Sequence, residues 1–338
     1  MGAITQKNIA AGLGLSRMAV SLALRDSPRV SLATRARVQA EAERLGYRPD
    51  PALAALSRYR HAGKAGSYRE TLAFVTKWRN PEGWKNQYVR RFFDGALEAA
   101  TRMGYKLEPF DLGEYHLPPR ATAVLVARGI RGLLLGPLEQ PGTLRLDWTR
   151  FASVAVGPSI IGPAVDRVMH NYEDSIRLVL TELAARGYRR CALVLPPRVD
   201  RLTERRVANA FLAETQRTPE WSGGCLWFPP DESERTFCRW VRREKPDCVI
   251  SLMNAHADWL RAAGWVLPAQ MGYVNLHLKD EGPEGSGIDY GAMEIGALAL
   301  DRVHSLLQRH ALGLPERPVL LLSPGRWREG RLVRSRRC

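Results

Sequence analysis

The sequence predicts an α/β protein, with a small helical domain at the N terminus and a larger core of parallel α/β subdomains. Three observations support this class. The first fifty residues contain three short helical patterns, positive charge is concentrated in the same part of the chain, and strands alternate with helices from Thr71 onward. Strands that alternate with helices of ordinary length are typical of parallel sheets. At 338 residues, the chain is long enough for two or three domains.

Positive charge is the most informative feature of the composition. The formal net charge is +15, and residues 1–69 hold twelve Lys and Arg against four Asp and Glu, a net of +8. A basic segment of this kind is typical of proteins that bind nucleic acid, and a merely solvated basic face is the alternative. The segment therefore predicts a polyanionic partner.

Several other classes of function find no support in the sequence. The five cysteines are odd in number and lack C-x-x-C spacing, which argues against a disulfide framework or a zinc site. We find no signal peptide and no run of the roughly 20 apolar residues that a membrane span needs, so we expect a cytoplasmic protein without a membrane partner. Walker, G-x-S-x-G and H-E-x-x-H motifs do not occur. The sequence predicts neither an enzyme nor a bound cofactor or metal.

The helical patterns of the first fifty residues predict a helix-turn-helix module. Apolar residues at helical spacing predict one helix over Gln6–Leu13 and a second over Arg17–Arg25. Gly14 can close the first helix, and Ser16 is a good N-cap for the next. A third helix follows Ser31 and ends at Gly46. Two short helices joined by a glycine-bearing turn, with a third packed against them, form this module.

The second helix of the module has two different faces. Val20, Ala23 and Leu24 share the spacing of a packed face. The outer side chains, which we expect to contact base edges, are Arg17, Met18, Ser21 and Leu22. The apolar members of this set can contact thymine methyl groups, so Arg17 is the main donor to a base edge.

The segment resembles the headpiece of the LacI/GalR family of bacterial transcription regulators. The matching runs are "IAAGLGLSRMAVSLAL" and "SPRVSLATRARVQAEAERLGYRPDPALAAL". The family pattern has an A-G-V-S turn, a T-V-S-R recognition helix and then "RVS..TR..V...A..LGY.PN". Two positions depart from it: Leu22 stands where the family places a base-reading arginine, and Asp50 where it places asparagine.

This resemblance implies a regulator, expected to be a repressor, that binds a palindromic double-stranded operator as a homodimer. It implies a headpiece over residues 1–48 and a hinge helix with linker over residues 49–70. Leu56 then corresponds to the residue that wedges into the minor groove. The residues implied to contact the DNA backbone are Ser16, Arg29, Thr34 and Tyr47.

The order of strands and helices in residues 71–338 resembles the effector-binding core of the same family. That core is periplasmic-binding-protein-like, with two lobes and three crossovers. The resemblance implies an N-lobe of about residues 71–158 and 289–316, and a C-lobe of about residues 159–288 and 317–338.

The cleft between two such lobes is expected to bind a small-molecule effector, because ligands bind beyond the carboxyl ends of parallel strands. The contacts implied by the resemblance are Tyr88, Arg206, Asn254 and His277. Gly157, Ala255 and His277 stand where sugar-binding members place aspartates. Carboxylates accept paired hydrogen bonds from vicinal hydroxyls, so their loss argues against an ordinary neutral sugar. For Arg206, a plain surface salt bridge is the alternative.

Two functions of other classes remain as alternatives. A solute-binding protein with a similar core is disfavoured by the DNA-binding module and by the lack of a signal peptide. An enzyme on an α/β scaffold is disfavoured because no nucleophile–base or metal constellation occurs in the sequence.

Overall fold

The structure, a computed structural model, describes residues 5–24, 30–45, 47, 70–115, 117–218, 221, 224–278 and 284–336. The chain forms two compact units, Met1–Ser67 and Tyr68–Cys338. The described part of the first unit is helical, and the second unit combines two six-stranded sheets with helices.

The first unit contains the three predicted helices, α1 (Gln6–Leu13), α2 (Arg17–Ala23) and α3 (Leu32–Arg44). Gly14 closes α1 with a left-handed φ of 64°, as its position predicts. Ser16 caps α2 by accepting a hydrogen bond from the Ala19 amide at 3.1 Å. Ser31 caps α3 in the same way, from the Thr34 amide at 3.2 Å.

The second unit alternates strands and helices. Its elements are β1 (Glu70–Thr76), α4 (Gln87–Met103), β2 (Tyr105–Asp111), α5 (Pro118–Ala127), β3 (Gly132–Leu135), β4 (Gly142–Thr143), β5 (Ala152–Val156), β6 (Ile160–Gly162), β7 (Asp166–His170), α6 (Tyr172–Ala185), β8 (Cys191–Val194), α7 (Pro197–Leu202), α8 (Arg206–Arg217), β9 (Cys225–Trp227), α9 (Glu234–Glu244), β10 (Cys248–Ser251), α10 (Ala255–Ala262), β11 (Gly272–Leu278), β12 (Gly287–Asp289), α11 (Ala292–Gln308), β13 (Leu320–Ser323) and β14 (Arg326–Arg328).

These elements build two lobes, each around a mostly parallel sheet. The N-lobe sheet has the order β2-β1-β3-β5-β7-β13, and all its pairs are parallel. The C-lobe sheet has the order β9-β8-β10-β11-β12-β14, with only β14 antiparallel. Central strands such as β3 and β8 are buried along their whole length, which explains why they are short runs of apolar residues.

The chain crosses between the lobes three times, at Asn171, at Tyr290 and at Pro324–Gly325. Two of the predicted lobe boundaries are wrong. The N-lobe continues to residue 170, instead of ending at 158, because β7 pairs with β5. Its second part continues to residue 323, instead of 316, because β13 pairs with β7. The C-lobe therefore comprises residues from Tyr172 to Asp289 and from Arg326 onward.

Helices α4 and α11 pack tightly against each other in the N-lobe, and two glycines make this close contact possible. A Cβ atom added to Gly95 would lie 2.0 Å from the Met293 carbonyl oxygen. One added to Gly296 would lie 2.0 Å from the Phe92 carbonyl oxygen. Only glycine allows the two helix backbones to approach this closely. Since α11 directly follows the crossover at Tyr290, this contact also positions that crossover.

Candidate nucleic-acid interface and interlobe cleft

The three helices of the first unit enclose a small hydrophobic core. Ile9, Val20 and Val38 contribute one fully buried side chain from each helix. Ala23 is also fully buried, and Leu24 packs against the same core. The inner face predicted for α2 is therefore confirmed, which fixes the rotation of this helix about its axis.

The opposite face of α2 is open to solvent. Arg17 is exposed and Met18 is 74% exposed, so both side chains are accessible to a partner. Leu22 is half-buried. The side chain of Ser21 lies outside the described part of the structure, as do Arg29, Asp50 and Leu56.

The residues predicted to contact phosphates differ in their surroundings. Ser16 is exposed, and because its Oγ accepts from Ala19, its hydroxyl hydrogen remains a donor for a phosphate oxygen. Thr34 is half-buried, with its Oγ1 2.8 Å from Ser31 Oγ. Tyr47 packs on the headpiece core.

Two arginines of this unit are engaged within the protein, one in an ion pair and one in a hydrogen bond to a main-chain carbonyl. The Arg44 guanidinium donates to both carboxylate oxygens of Glu41, at 2.7 and 2.8 Å, and these hydrogen bonds lower the pKa of Glu41. Arg35 donates to the Val30 carbonyl oxygen at 3.2 Å. Sequence reasoning did not identify either contact. Arg17 has no such carboxylate partner among the described residues, so its charge is directed to solvent.

In the core, the structure brings together two of the four predicted effector contacts. Tyr88, on the first turn of α4, and His277, near the end of β11, meet edge to face with ring centroids 4.4 Å apart. The contact joins the N-lobe to the C-lobe. It places the cleft at the carboxyl end of a parallel strand, as the fold predicts.

The other two predicted contacts are engaged with protein groups. Arg206 donates to Glu173 Oε1 at 2.9 Å and to Glu204 Oε2 at 3.3 Å. The Asn254 side-chain oxygen accepts a hydrogen bond from the Asn275 amide. Gly157 stands where sugar-binding members of the family place an aspartate. Its main-chain carbonyl accepts a hydrogen bond from the Arg167 guanidinium.

Tyr290 is the central residue of the cleft, and sequence reasoning missed it. Its hydroxyl lies 2.9 Å from that of Tyr172 and 3.4 Å from that of Tyr88. Its ring stacks on His170 at 4.1 Å with an interplanar angle of 15°. Tyr172 and Tyr290 lie at two crossovers, two positions after the end of β7 and one position after the end of β12, respectively. The sequence signal that could have indicated these two cleft residues is an aromatic residue just beyond the end of a strand.

Burial keeps the hydroxyls of this cluster protonated. It raises the pKa of Tyr88 to about 12 and raises the pKa values of Tyr172 and Tyr290 as well. Burial also lowers the pKa of His170 to about 4. The neutral His170 donates from Nδ1 to the Tyr290 carbonyl at 3.2 Å and accepts at Nε2 from Ser175 Oγ at 2.8 Å. The cluster is therefore a neutral hydrogen-bonded network.

A small pocket lies where these rings meet. Its free volume is about 10 Å³, close to that needed by one water molecule. The lining residues are Tyr88, Arg91, His277, Leu278, Asp289, Tyr290 and Ala292. Within the described residues, no group of three or more His, Cys, Asp or Glu side chains could hold a metal ion. In the same part of the chain, every helix is too short or too polar to cross a membrane.

Comparisons with known proteins agree with both halves of this architecture. Residues 5–50 match the family described as bacterial regulatory proteins, lacI family. No curated protein matches the chain in sequence. Two similar solved structures cover 98% of this chain and 99% of their own. They are the transcriptional regulator CelR in complex with cellobiose (19% identity, TM-score 0.52) and the lac repressor dimer bound to operator and the anti-inducer ONPF (17%, 0.55).

A third similar structure is the trehalose repressor from Escherichia coli, at 15% identity and a TM-score of 0.56, covering 77% of this chain and 99% of that chain. At these identities the likeness establishes the fold of the core. The chain therefore combines a lacI-family domain at its N terminus with a core that has the periplasmic-binding-protein-like fold of these structures.

Proposed function

We propose that the chain is a repressor that binds a palindromic operator as a homodimer, and that a small molecule in the interlobe cleft modulates this binding. The observation that carries the proposal is the outer face of α2, where exposed Arg17 and Met18 lie on a helix of the lacI-family domain. A solute-binding protein without a DNA role would not need this domain. We place the protein in the cytoplasm, where chromosomal DNA lies.

The proposed DNA contacts fall into three groups. Arg17, with Met18, Ser21 and Leu22, contacts base edges in the major groove. Leu56 inserts between base pairs in the minor groove, which bends the duplex and brings more protein surface onto it. The residues proposed to contact phosphates, which position the domain without reading sequence, are Ser16, Arg29, Thr34 and Tyr47.

The domain division proposed here assigns residues 1–48 to DNA binding, residues 49–70 to the hinge and linker, and the remainder to effector binding and dimerisation. In the cleft, Tyr88 and His277 are the proposed primary contacts because their rings line the pocket. Arg206 and Asn254 require that their present partners be displaced, so we assign them secondary roles.

The proposal is tested by selecting bound sequences from randomised duplex DNA with the full-length protein, then measuring affinity for the selected site at increasing salt. We expect a palindromic motif and two chains per duplex. About 6–10 phosphate contacts should weaken binding by roughly 10³–10⁵ between about 50 and 200 mM salt. Affinity independent of salt, or enrichment of no motif, would contradict the proposal.

A further inference from the structure

A second and larger pocket lies at the end of the C-lobe sheet opposite the interlobe cleft. Its volume is about 340 Å³, within the range of about 300–1,000 Å³ that small-molecule sites occupy. Pro246 lies just before β10 and Met271 just before β11, so the pocket lies at the amino ends of these parallel strands. The cleft lies at the other end, where His277 is near the carboxyl end of β11. None of the residues proposed above for DNA or effector binding lines this second pocket.

The floor of this pocket is apolar. Val241, Pro246 and Met271 are buried side chains of its lining. Val241 and Met271 belong to a hydrophobic cluster of the C-lobe, and half-buried Trp265 packs against the same cluster and supplies an accessible apolar wall. The pocket therefore opens directly onto core side chains, which favours a ligand with an apolar body.

The rim of the pocket carries two positive charges. Arg242 lies in the last turn of α9 and Lys245 caps this helix, three positions later, so the two side chains share a face. Both are exposed, and neither has a carboxylate partner within the part of the chain that the structure describes. By contrast, Arg243 between them is bonded to Glu244 at 2.7 Å. The Arg242 guanidinium lies over the Trp265 ring, 5.1 Å from its centroid, which holds this charge beside the apolar wall.

The surroundings of the pocket add to this positive potential. The lining contains no acidic side chain, and Gln270 completes it with a donor NH₂ group, because its Oε1 accepts a main-chain amide. Two arginines of the C-terminal segment are held beside the pocket. Arg334 donates to the Ala269 carbonyl at 2.9 Å, and Arg336 donates to the Asp247 carbonyl at 3.3 Å. The Asp247 carboxylate does not line the pocket and accepts a main-chain amide at 2.6 Å.

An apolar floor beneath a cationic rim is complementary to an organic anion with an apolar body. A cationic ligand would meet two like charges, and a small inorganic anion would leave the floor uncovered. We propose that this pocket is a second ligand site, which binds a carboxylate carried on an apolar ring system. The carboxylate lies between the Arg242 guanidinium and the Lys245 ammonium, where charge-assisted hydrogen bonds hold it. The ring covers the apolar floor and removes it from water.

The test uses three probes with the full-length protein in calorimetric titrations. These are 2-naphthoate, 2-naphthalenemethanol (the same ring without a charge) and acetate (the same charge without a ring). We expect 2-naphthoate to bind at least about tenfold more tightly than either. Its affinity should fall as salt rises from about 50 to 500 mM, because salt screens exposed charges.

Three outcomes of these titrations would contradict the proposal. Equal binding of 2-naphthalenemethanol would overturn the assignment of a carboxylate, and equal binding of acetate would overturn that of an apolar body. Absence of 2-naphthoate binding at about 10 mM, weaker than a specific site should show, would overturn the site itself.

Variants connect binding to this pocket and not to the cleft. Arg242→Gln and Lys245→Gln each remove one charge, so each should weaken 2-naphthoate about 3- to 10-fold and leave 2-naphthalenemethanol unchanged. Arg235→Gln removes the same charge from an exposed position two turns earlier on α9 and should change neither. Parent-like affinity for 2-naphthoate in the double variant Arg242→Gln/Lys245→Gln would overturn the proposal. All three positions are exposed, and an unaltered unfolding temperature verifies that each variant is folded.

Discussion

Arg17 and Leu22 lie on the same face of α2 but differ in what they can contribute to DNA recognition. The exposed guanidinium of Arg17 can donate two hydrogen bonds to a guanine edge, whereas half-buried Leu22 can contact only a methyl group. In the DNA interface proposed above, leucine at position 22 leaves a larger share of base discrimination to Arg17. We therefore expect an operator that differs from those of family members with arginine at the position of Leu22.

We expect Arg17→Ala to weaken binding to the selected operator by roughly 1–3 kcal/mol and to relax the preference at one base pair in each half-site. Affinity for random DNA should fall much less, because phosphate contacts supply it. Fluorescence anisotropy with operator and random duplexes measures both effects. Arg102→Ala removes the same charge from exposed surface on α4 and serves as the control. An unchanged motif after selection with Arg17→Ala would assign the base-reading role to another residue.

The two candidate sites differ in how far the sequence predicted their residues. The face of α2 was predictable because a three-helix module of known spacing leaves only one arrangement of inner and outer residues. Tyr290 was not predictable, because its role depends on three long-range contacts, to His170, Tyr172 and Tyr88, that span both lobes. Nor does spacing reveal that Glu173 and Glu204 would occupy Arg206.

At the scale of elements, apolar patterns predicted the central strands and long helices, and failed at the edges of the lobes. β7 has the sequence Asp-Arg-Val-Met-His and lacks the uniform apolar run of β3, whereas β13 contains three successive leucines that do not indicate which of the two sheets it joins. Both belong to the N-lobe only because each pairs with a neighbour in the folded sheet. Pairing of distant strands leaves little local signal, which explains the misplaced boundaries.

The contact between α4 and α11 gives a prediction at this scale. In an exposed helix, Gly→Ala stabilises by about 0.5–1 kcal/mol. At Gly296 the added Cβ would lie 2.0 Å from the Phe92 carbonyl oxygen, so the helices must separate. Overpacking typically costs 1–3 kcal/mol, and separating two backbones lies at or above that range. The clash should outweigh the helix preference.

We therefore expect Gly296→Ala to lower the free energy of unfolding of the core by about 2 kcal/mol or more. All nine tryptophans lie in residues 78–327, so urea unfolding followed by tryptophan fluorescence reports on the core. Leu298→Ala, two positions along the same helix at a 41% exposed site, should change stability by less than about 0.5 kcal/mol. Stabilisation by Gly296→Ala would show that the helices tolerate a wider separation.

At the scale of the whole molecule, two buried histidines couple folding of the core to pH. His170 lies next to the first crossover and His256 lies in α10 of the C-lobe, and they are 1% and 3% exposed. Burial lowers both pKa values from 6.5 to about 4. His256 is further held by Ser251 Oγ at 2.7 Å and by stacking on Phe237 at 4.5 Å. Both rings are neutral in the native core.

Between about pH 6.5 and 4 the unfolded chain binds protons at these histidines that the folded core does not bind. Stability must therefore rise with pH across this window and fall as the solution is acidified. A pKa lowered from 6.5 to about 4 corresponds to about 3 kcal/mol for each histidine. We expect the free energy of unfolding, measured by urea titration with tryptophan fluorescence, to decrease from pH 7 to pH 4.5.

Acid-sensitive carboxylates act in the same direction, so a variant is needed to assign the effect. His256→Gln removes one titrating ring and should reduce the slope between pH 6.5 and 5 by up to about 1.4 kcal/mol per pH unit. His310→Gln, at an exposed position just beyond α11, serves as the control for loss of a histidine from the surface. If His256→Gln and the parent lose stability in parallel on acidification, the native core must accommodate a protonated His256.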